Sequence, residues 1–555
     1  MIDTPFIKTL EQAVVRNWSS VAFTDYGSNT SLKYQDVAQE IERIHILLRQ
    51  CGITQSDKVA LMGRNNSHWV TAYLGVMTYG AIVVPILQDF KPNDTLHILN
   101  HSESKLFFVT DSLYENMDID QMEQVKAVLS LKTCSVLAFK KNLIDPKDIS
   151  VEEIKNIFDA RYPGGITPEK IHYCDKSNSE IGSINYTSGT TGFSKGVVTR
   201  LNALAGNVRF CSENHVIYKQ SRQVIFLPLA HAFGCAFDFL TTFCVGGHAY
   251  LLGKTPSPRV LLQAFKEIKP TCIFTVPLVL EKIYKKLILP LLNKTSVNWA
   301  LRMPIIDDVL LKKVRQQLVE AFGGEFDEVI IGGAPLNAEV EDFLNRIHFP
   351  YTVGYGMTEC APLISYSKAK DFKKGSCGKI LDGLMEIKVD NPDENGVGEL
   401  LVRGEHVMAC YYKNQSATSE VFTADGWLNT GDVGCVDEDG YIFIKGRNKT
   451  MILGPSGQNI YPEEIEAKLN NMPYVMESLV FQQENKLIAL VCPDFETVDT
   501  SHLTHEQLAE AMEHNRKAVN ALLASYEQIN IIKLFPHEFE KTPKKSIKRF
   551  LYTQY

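Results

Sequence analysis

One run of residues mixes hydroxyls, glycines and a single lysine between two apolar ends: Ile184-Asn185-Tyr186-Thr187-Ser188-Gly189-Thr190-Thr191-Gly192-Phe193-Ser194-Lys195-Gly196-Val197-Val198. Gly189 and Gly192 permit positive φ and close backbone approach. Successive amide N–H groups in such a loop form an anion-binding concavity. The hydroxyls of Thr187, Ser188, Thr190 and Thr191 add short donors, and Lys195 adds a mobile positive charge. The chemistry this suits is the grip on a polyphosphate. A second stretch, Val353-Gly354-Tyr355-Gly356-Met357-Thr358-Glu359, offers an aromatic face for a base, a hydroxyl for a phosphate and a carboxylate for Mg²⁺. Hard cations prefer oxygen ligands, and magnesium often takes one carboxylate plus substrate phosphates. Taken alone, Thr430-Gly431-Asp432 reads as a turn, and His231 in Pro228-Leu229-Ala230-His231-Ala232-Phe233-Gly234 as an ordinary core histidine.

The lysine loop is not a Walker-type phosphate loop, which places Gly before Lys and Ser or Thr after it; here Ser194 precedes Lys195 and Gly196 follows. It resembles instead the signature loop of the adenylate-forming superfamily: acyl- and aryl-CoA synthetases, peptide-synthetase adenylation domains and beetle luciferases. That loop reads Tyr-Thr-Ser-Gly-Thr-Thr-Gly-x-Pro-Lys-Gly, and only Ser194 departs from it. The resemblance extends through several motifs in the expected order. It implies that Tyr355 packs on adenine with Gly356 beside it, that Thr358 contacts the α-phosphate, and that Glu359 holds magnesium. It also implies that Gly333 and Ala334 border the adenine and the acyl carboxylate. Asp432 and Arg447 would bind the ribose, a role that suits a carboxylate accepting two hydroxyl donors. His231 would lie beside the substrate carboxylate. The segment Val276 to Tyr284 resembles one typical of long-chain acyl-CoA synthetases, which points to the fatty-acid branch.

The resemblance implies two half-reactions. A carboxylate attacks the α-phosphorus of Mg·ATP to give acyl-AMP and pyrophosphate; the thiol of coenzyme A then takes the acyl group and AMP leaves. Fatty acid, ATP and coenzyme A are the expected partners, with Mg²⁺ as cofactor. An aryl acid, a carrier-protein thiol as acceptor, and a catalytically weakened relative are the alternatives. A hinge is expected at Lys449, and Ser456-Gly457-Gln458-Asn459 would line the thiol's entry. The tail departs from the family's Lys-Thr-x-x-Gly-Lys-Ile-x-Arg. Here it reads Lys541-Thr542-Pro543-Lys544-Lys545-Ser546-Ile547-Lys548-Arg549, with Ser546 in the place of the lysine that serves adenylation. Either the enzyme is weakened or Lys544 or Lys545 substitutes.

The elements that must position these residues read as an α/β protein. Strand and helix patterns alternate from Lys58 to Thr110 and again from Ser183 to Gly333, which argues for layers around parallel sheet. Residues 113–183 are less regular. From 376 to 445 short strands separated by Gly, Asn and Asp, Val407-Met408 among them, read as a small, mostly antiparallel β unit. Asp439-Gly440 marks a hairpin, and the acidic Asp437-Glu438-Asp439 is turn chemistry, since a calcium loop's spacing is absent. Helices are expected over Ala236 to Cys244, Leu278 to Leu287 and Leu508 to Ile529. The expected organisation is a large N-terminal domain of layered α/β subdomains plus the small β unit (1–446) and a small, mobile α+β C-terminal domain (447–555).

At 555 residues the chain is too long for one compact core. A net charge of −8 argues against a general nucleic-acid binder. No apolar run approaches the roughly 18–20 residues that span a bilayer, and the first ten residues show no secretory signal. The twelve cysteines are scattered with no Cys-x-x-Cys pair, as expected of free thiols in a reducing cytoplasm. Oligomeric state is left open, as is a peripheral membrane contact serving a greasy substrate.

Overall fold

Short apolar runs bounded by Gly, Pro, Asn or Asp make the first sheet. The structure is a computed structural model describing residues 4–28, 30–187, 194–253, 257–288, 304–453, 459–484, 486–542, 546–553 and 555. Seven strands lie in the order Val136–Phe139, Ala127–Ser130, Ser104–Val109, Lys58–Met62, Ile82–Ile86, Ile181–Thr187 and Lys195–Arg200. The five central strands are parallel and each edge strand is antiparallel to its neighbour. The helix Ser67–Tyr79 crosses between two of them. Asn66 starts it by accepting a hydrogen bond from the Trp69 N–H at 2.8 Å, and Gly80, at φ 98°, ends it in the left-handed region. Almost every residue of this helix is buried, so it reads as apolar all round rather than amphipathic.

A second sheet places Arg222–Ile225 and His248–Leu251 parallel to Val21–Asp25, with Thr30–Lys33 antiparallel at its edge. Three further parallel strands, Ile273–Thr275, Val329–Ile331 and Tyr351–Val353, form a third. Phe23, Tyr34, Trp69, Tyr73, Phe239 and Phe243 pack as one buried aromatic group. Each such ring removed from water stabilises the fold by about 1.5–3 kcal/mol. The expected β unit is present as an antiparallel sheet of Met385–Asp390, Gly398–Gly404, Leu428–Val436 and Ile442–Arg447. Asp437 closes its last hairpin by accepting from the N–H groups of Asp439 and Tyr441, which is turn chemistry.

The small C-terminal domain has its own sheet, Val475–Gln483 against Lys486–Pro493 with Ile531–Leu534 alongside, and its own apolar clusters. Two stretches of its tail pair with each other. Lys541 bridges Ile547, and the Thr542 N–H donates to Ser546 O at 2.8 Å. Lys541 is held by Glu477, Lys548 by Glu540, and Arg549 by the buried Glu466. Among the described residues no helix is long and apolar enough to cross a membrane.

Five local expectations differ from the structure. Val407-Met408 is not a strand: the Met408 and Ala409 N–H groups donate singly to Glu359 O and Val198 O instead of forming a ladder. The helix expected to Ile529 is His505–Asn520, because the Asn520 side chain takes the Ile529 N–H and turns the chain. Ala127–Ser130, in the region read as irregular, is a buried strand. The helix expected over Ala236 to Cys244 is π-helical over Gly234–Thr241 and α-helical only over Thr242–Val245, and the Pro277–Ile283 helix likewise continues as a π turn, Tyr284–Ile288. In the first π segment Thr241 and Thr242 hydroxyls donate to the carbonyls five residues back, Ala236 and Phe237.

That segment carries Asp238, which is 1% exposed and whose two carboxyl oxygens have no hydrogen-bond partner among the described residues. Burial pushes its pKa well up, so the folded protein holds it protonated. The unfolded chain, titrating near ~3.9, binds fewer protons over the window from there to the raised folded pKa. Stability therefore falls through that window by about 1.4 kcal/mol per pH unit. Asp238→Asn removes the slope. Urea midpoints at pH 5 and pH 7 are expected to favour the variant increasingly as pH rises; parallel profiles contradict this.

Candidate active site

Ligands of open α/β sheets bind beyond the carboxyl ends of the strands, and here every loop that matters leaves such an end. Val276 follows Ile273–Thr275, Gly332 and Gly333 follow Val329–Ile331, and Gly354-Tyr355 follows Tyr351–Val353. His231 lies after Arg222–Ile225, and the hydroxyl-rich loop leaves Ile181–Thr187. The third sheet's register fixes the first group: the Gly332 N–H donates to Thr275 O and the Gly354 N–H to Ile331 O, at 3.0 and 2.9 Å. His231, Gly333, Tyr355, Gly356 and Thr358 line one cavity together with Phe233, Phe237 and Phe274. Phe237 and Phe274 stack at 5.4 Å and Phe233 meets both edge-on. Gly356 must be glycine: a Cβ there would sit 2.3 Å from the Pro362 carbonyl oxygen, where the strand folds back on Leu363–Tyr366.

A polar network continues from the cavity. The Tyr355 hydroxyl donates to Asp432 Oδ2 at 2.6 Å, and Arg447 Nε pairs with Asp432 Oδ1 at 3.1 Å. Asp432 sits inside the strand Leu428–Val436, directly across from Arg447, rather than in a free turn. Burial raises its pKa, against the opposing pull of Arg447 and the Tyr355 hydroxyl. A carboxylate has about four acceptor positions, so a diol can still bind beside these two donors.

Charge collects on the other side of Thr358. Glu359 Oε1 accepts from the Tyr411 hydroxyl at 2.9 Å, and Lys195 Nζ lies 4.9 Å from the centre of the Tyr411 ring. Lys195 opens the strand that leaves the hydroxyl-rich loop, paired across the ladder with Thr187. Among the described residues no cluster of three or more His, Cys, Asp and Glu is arranged to hold a metal. A cation here would rely on Glu359 and on substrate oxygens, a donor set that fits Mg²⁺.

The AMP-binding enzyme profile matches residues 10–412, and that of the AMP-binding enzyme C-terminal domain matches 449–555. The chain belongs to the AMP-binding enzyme family. Its relatives include the long-chain-fatty-acid–CoA ligase FadD15 of Mycobacterium bovis, 26% identical over 94% of this chain and 90% of the relative. Long-chain-fatty-acid–CoA ligase 1 of Saccharomyces cerevisiae is 26% identical over 87% of this chain and 74% of its own. In fold it is similar to the anthranilate CoA ligase AuaEII in complex with anthranoyl-AMP, at TM-score 0.75 and 20% identity over 99% of this chain and 97% of that one. The o-succinylbenzoate coenzyme A synthetase of Bacillus subtilis in complex with AMP aligns at TM-score 0.74 and 20% identity over 99% and 98%. The class is that of adenylate-forming acid–CoA ligases.

In this AMP-binding enzyme the residues named from the sequence converge unevenly. His231, Gly333, Tyr355, Gly356 and Thr358 share the cavity wall; Asp432 and Arg447 join it through Tyr355, and Glu359 and Lys195 meet at Tyr411. Ala334 is exposed next to Gly333, and Lys449 is exposed on the one-turn helix Asn448–Thr450 just after Arg447. Ser188, Gly189, Thr190, Thr191, Gly192, Gly457, Lys544 and Lys545 lie outside the described residues. Tyr411 escaped the sequence reading. Nothing in Ala409-Cys410-Tyr411-Tyr412 marks it, because its place depends on a bridge to Val197, far off in the chain.

Proposed function

We propose that this enzyme activates a fatty acid as acyl-AMP at the expense of ATP and transfers the acyl group to coenzyme A. The observation that carries the reading is the shared cavity, lined both by the apolar rings of Phe233, Phe237 and Phe274 and by His231, Gly333, Tyr355 and Thr358. An acyl chain suits the first and a carboxylate beside a nucleotide the second. The long-chain ligases among its relatives support the fatty acid; the aromatic wall and the anthranilate and o-succinylbenzoate ligases among its fold neighbours favour an aryl acid as the second reading.

In the proposed mechanism the acid's carboxylate oxygen attacks the α-phosphorus, the bond to the β-phosphate's bridging oxygen breaks, and pyrophosphate leaves. The carboxylate is already a nucleophile, so positioning and charge neutralisation do the work. Tyr355 holds adenine on its ring face; Asp432 and Arg447 take the ribose diol; Thr358 donates to the α-phosphate. Lys195 and the loop hydroxyls receive the departing pyrophosphate, and His231 with Gly333 and Ala334 orients the carboxylate. Glu359 would hold Mg²⁺, which would supply charge neutralisation at the phosphate oxygens. In the second step the thiol sulfur attacks the acyl carbon, loses its proton, and AMP departs.

The proposed division is 1–446 and 447–555, with a hinge at Lys449 that swings the smaller domain between steps and brings Gly457 to the thiol's path. One of Lys544 and Lys545 is proposed to supply the tail cation that Ser546 lacks. Support comes from the charges around Glu540, just before this stretch. The carboxyl of Glu540 is lowered by Lys548 and, across the domains, by Lys91. Lys91 follows Ile82–Ile86, the strand parallel to the one that delivers the hydroxyl-rich loop. The twelve free cysteines support a reducing, cytoplasmic setting. Pyrophosphate release measured against fatty and aromatic acids from short to long chains tests the substrate. Medium- or long-chain fatty acids are expected to give the highest kcat/KM; a preference for aromatic acids overturns the fatty-acid reading in favour of the second.

A further inference from the structure

Opposite charges close together in a ligand-free site tend to pair with each other, and both are then lost to the substrate. Lys195 and Glu359 are such a pair, yet neither the ammonium nor the carboxylate contacts the other; both contact Tyr411. The ring is 7% exposed, so its orientation is set by the core around it. Its backbone is fixed as well. Residue 411 bridges Val197, its N–H donates to Thr418 Oγ1 at 3.0 Å, and the adjacent Tyr412 N–H donates to Gly196 O at 2.7 Å. The segment bearing the ring is thus tied to the strand that bears Lys195. From the other side, the Met408 N–H donates to Glu359 O at 2.7 Å. The hydroxyl and the face of one side chain are presented to two charges of opposite sign, the proton to the carboxylate and the π-face to the ammonium, as each requires.

We infer that Tyr411 is a positioning residue that keeps Lys195 and Glu359 adjacent without letting them neutralise each other. Its hydroxyl fixes Glu359 Oε1 and leaves Oε2 without a hydrogen-bond partner among the described residues, available to a cation. Its ring seats the ammonium where the strand meets the phosphate-binding loop. Sequestering the two charges on one aromatic spacer lets an arriving Mg·ATP find both available. The inference rests on the reading of Glu359 as the carboxylate for the cation.

Calorimetric titration in the absence of any acid substrate, so that no turnover occurs, separates the parts. The probes are ATP without divalent metal and Mg·ATP. Tyr411→Phe keeps the ring and loses the hydroxyl; it is expected to weaken Mg·ATP five- to tenfold and leave metal-free ATP within twofold of wild type. Tyr411→Leu loses both, frees Lys195 to pair with Glu359, and is expected to weaken metal-free ATP at least fivefold as well. Equal loss of both ligands by the Phe variant, or wild-type binding of both by either variant, overturns the spacer. Glu359→Gln is the control for the underlying reading. If it retains the wild-type advantage of Mg·ATP over ATP, Glu359 is not the cation's carboxylate and the inference falls with it. If it loses that advantage while Tyr411→Phe keeps it, only the role of Tyr411 is refuted.

Discussion

Glu359→Gln is expected to lower carboxylate-dependent ATP–pyrophosphate exchange by about 10²–10³-fold, or ~2.7–4 kcal/mol, the usual cost of removing one preorganised charge-stabilising group. The reason is electrostatic. A carboxylate must approach a triphosphate, two anions meeting in a partly water-excluded cleft, and the protein's contribution is to gather positive charge around them. Glu359 is proposed to hold a divalent cation there, next to the cavity residue Thr358. The amide keeps the shape and still accepts the Tyr411 hydroxyl, so melting temperature should move little. Activity lost together with cooperative unfolding would instead mark a structural residue. Activity within threefold of wild type would move the cation elsewhere.

The second large effect concerns the tail. Replacing Lys544 or Lys545 by alanine is expected, for one of the two, to cost about 10²–10³ in the same exchange reaction. Conversion of supplied acyl-AMP to acyl-CoA should survive, because in the proposed mechanism the tail cation serves only the first step. Lys548→Ala is expected to do little. Lys548 shares the tail's charge in the sequence, but in the fold its ammonium lies 2.6 Å from Glu540. Arg549 is likewise committed, to Glu466 and Glu463. If neither Lys544→Ala nor Lys545→Ala slows adenylation, Ser546 leaves the enzyme without a tail cation and the weakened-relative reading gains.

What could be read in the sequence follows from how local each feature is. The parallel strands were legible because each is a short apolar run with a turn residue at its end; Lys58–Met62 and Ile531–Leu534 are as their patterns predict. The helix start at Pro462 is equally local, since proline fits a helix's first turn. The π segment at 234–241 was not legible. A residue composition that favours one helix says nothing about an extra residue per turn, which here depends on two threonine hydroxyls capping carbonyls. The same holds for Asp432, whose short motif looks like a turn until the strand partner Arg447 is known. Tyr411 is the extreme case: its chemistry comes from contacts with residues 195 and 359, and no local pattern encodes that distance.

An adenylating acid–CoA ligase built around this cavity is recognised most directly by following the adenine nucleotide. With ATP, Mg²⁺, coenzyme A and a long-chain fatty acid, the protein should form AMP, pyrophosphate and acyl-CoA in equal amounts, and omitting the acid should stop all three. Formation of ADP and phosphate, or AMP release that ignores the acid, would contradict it.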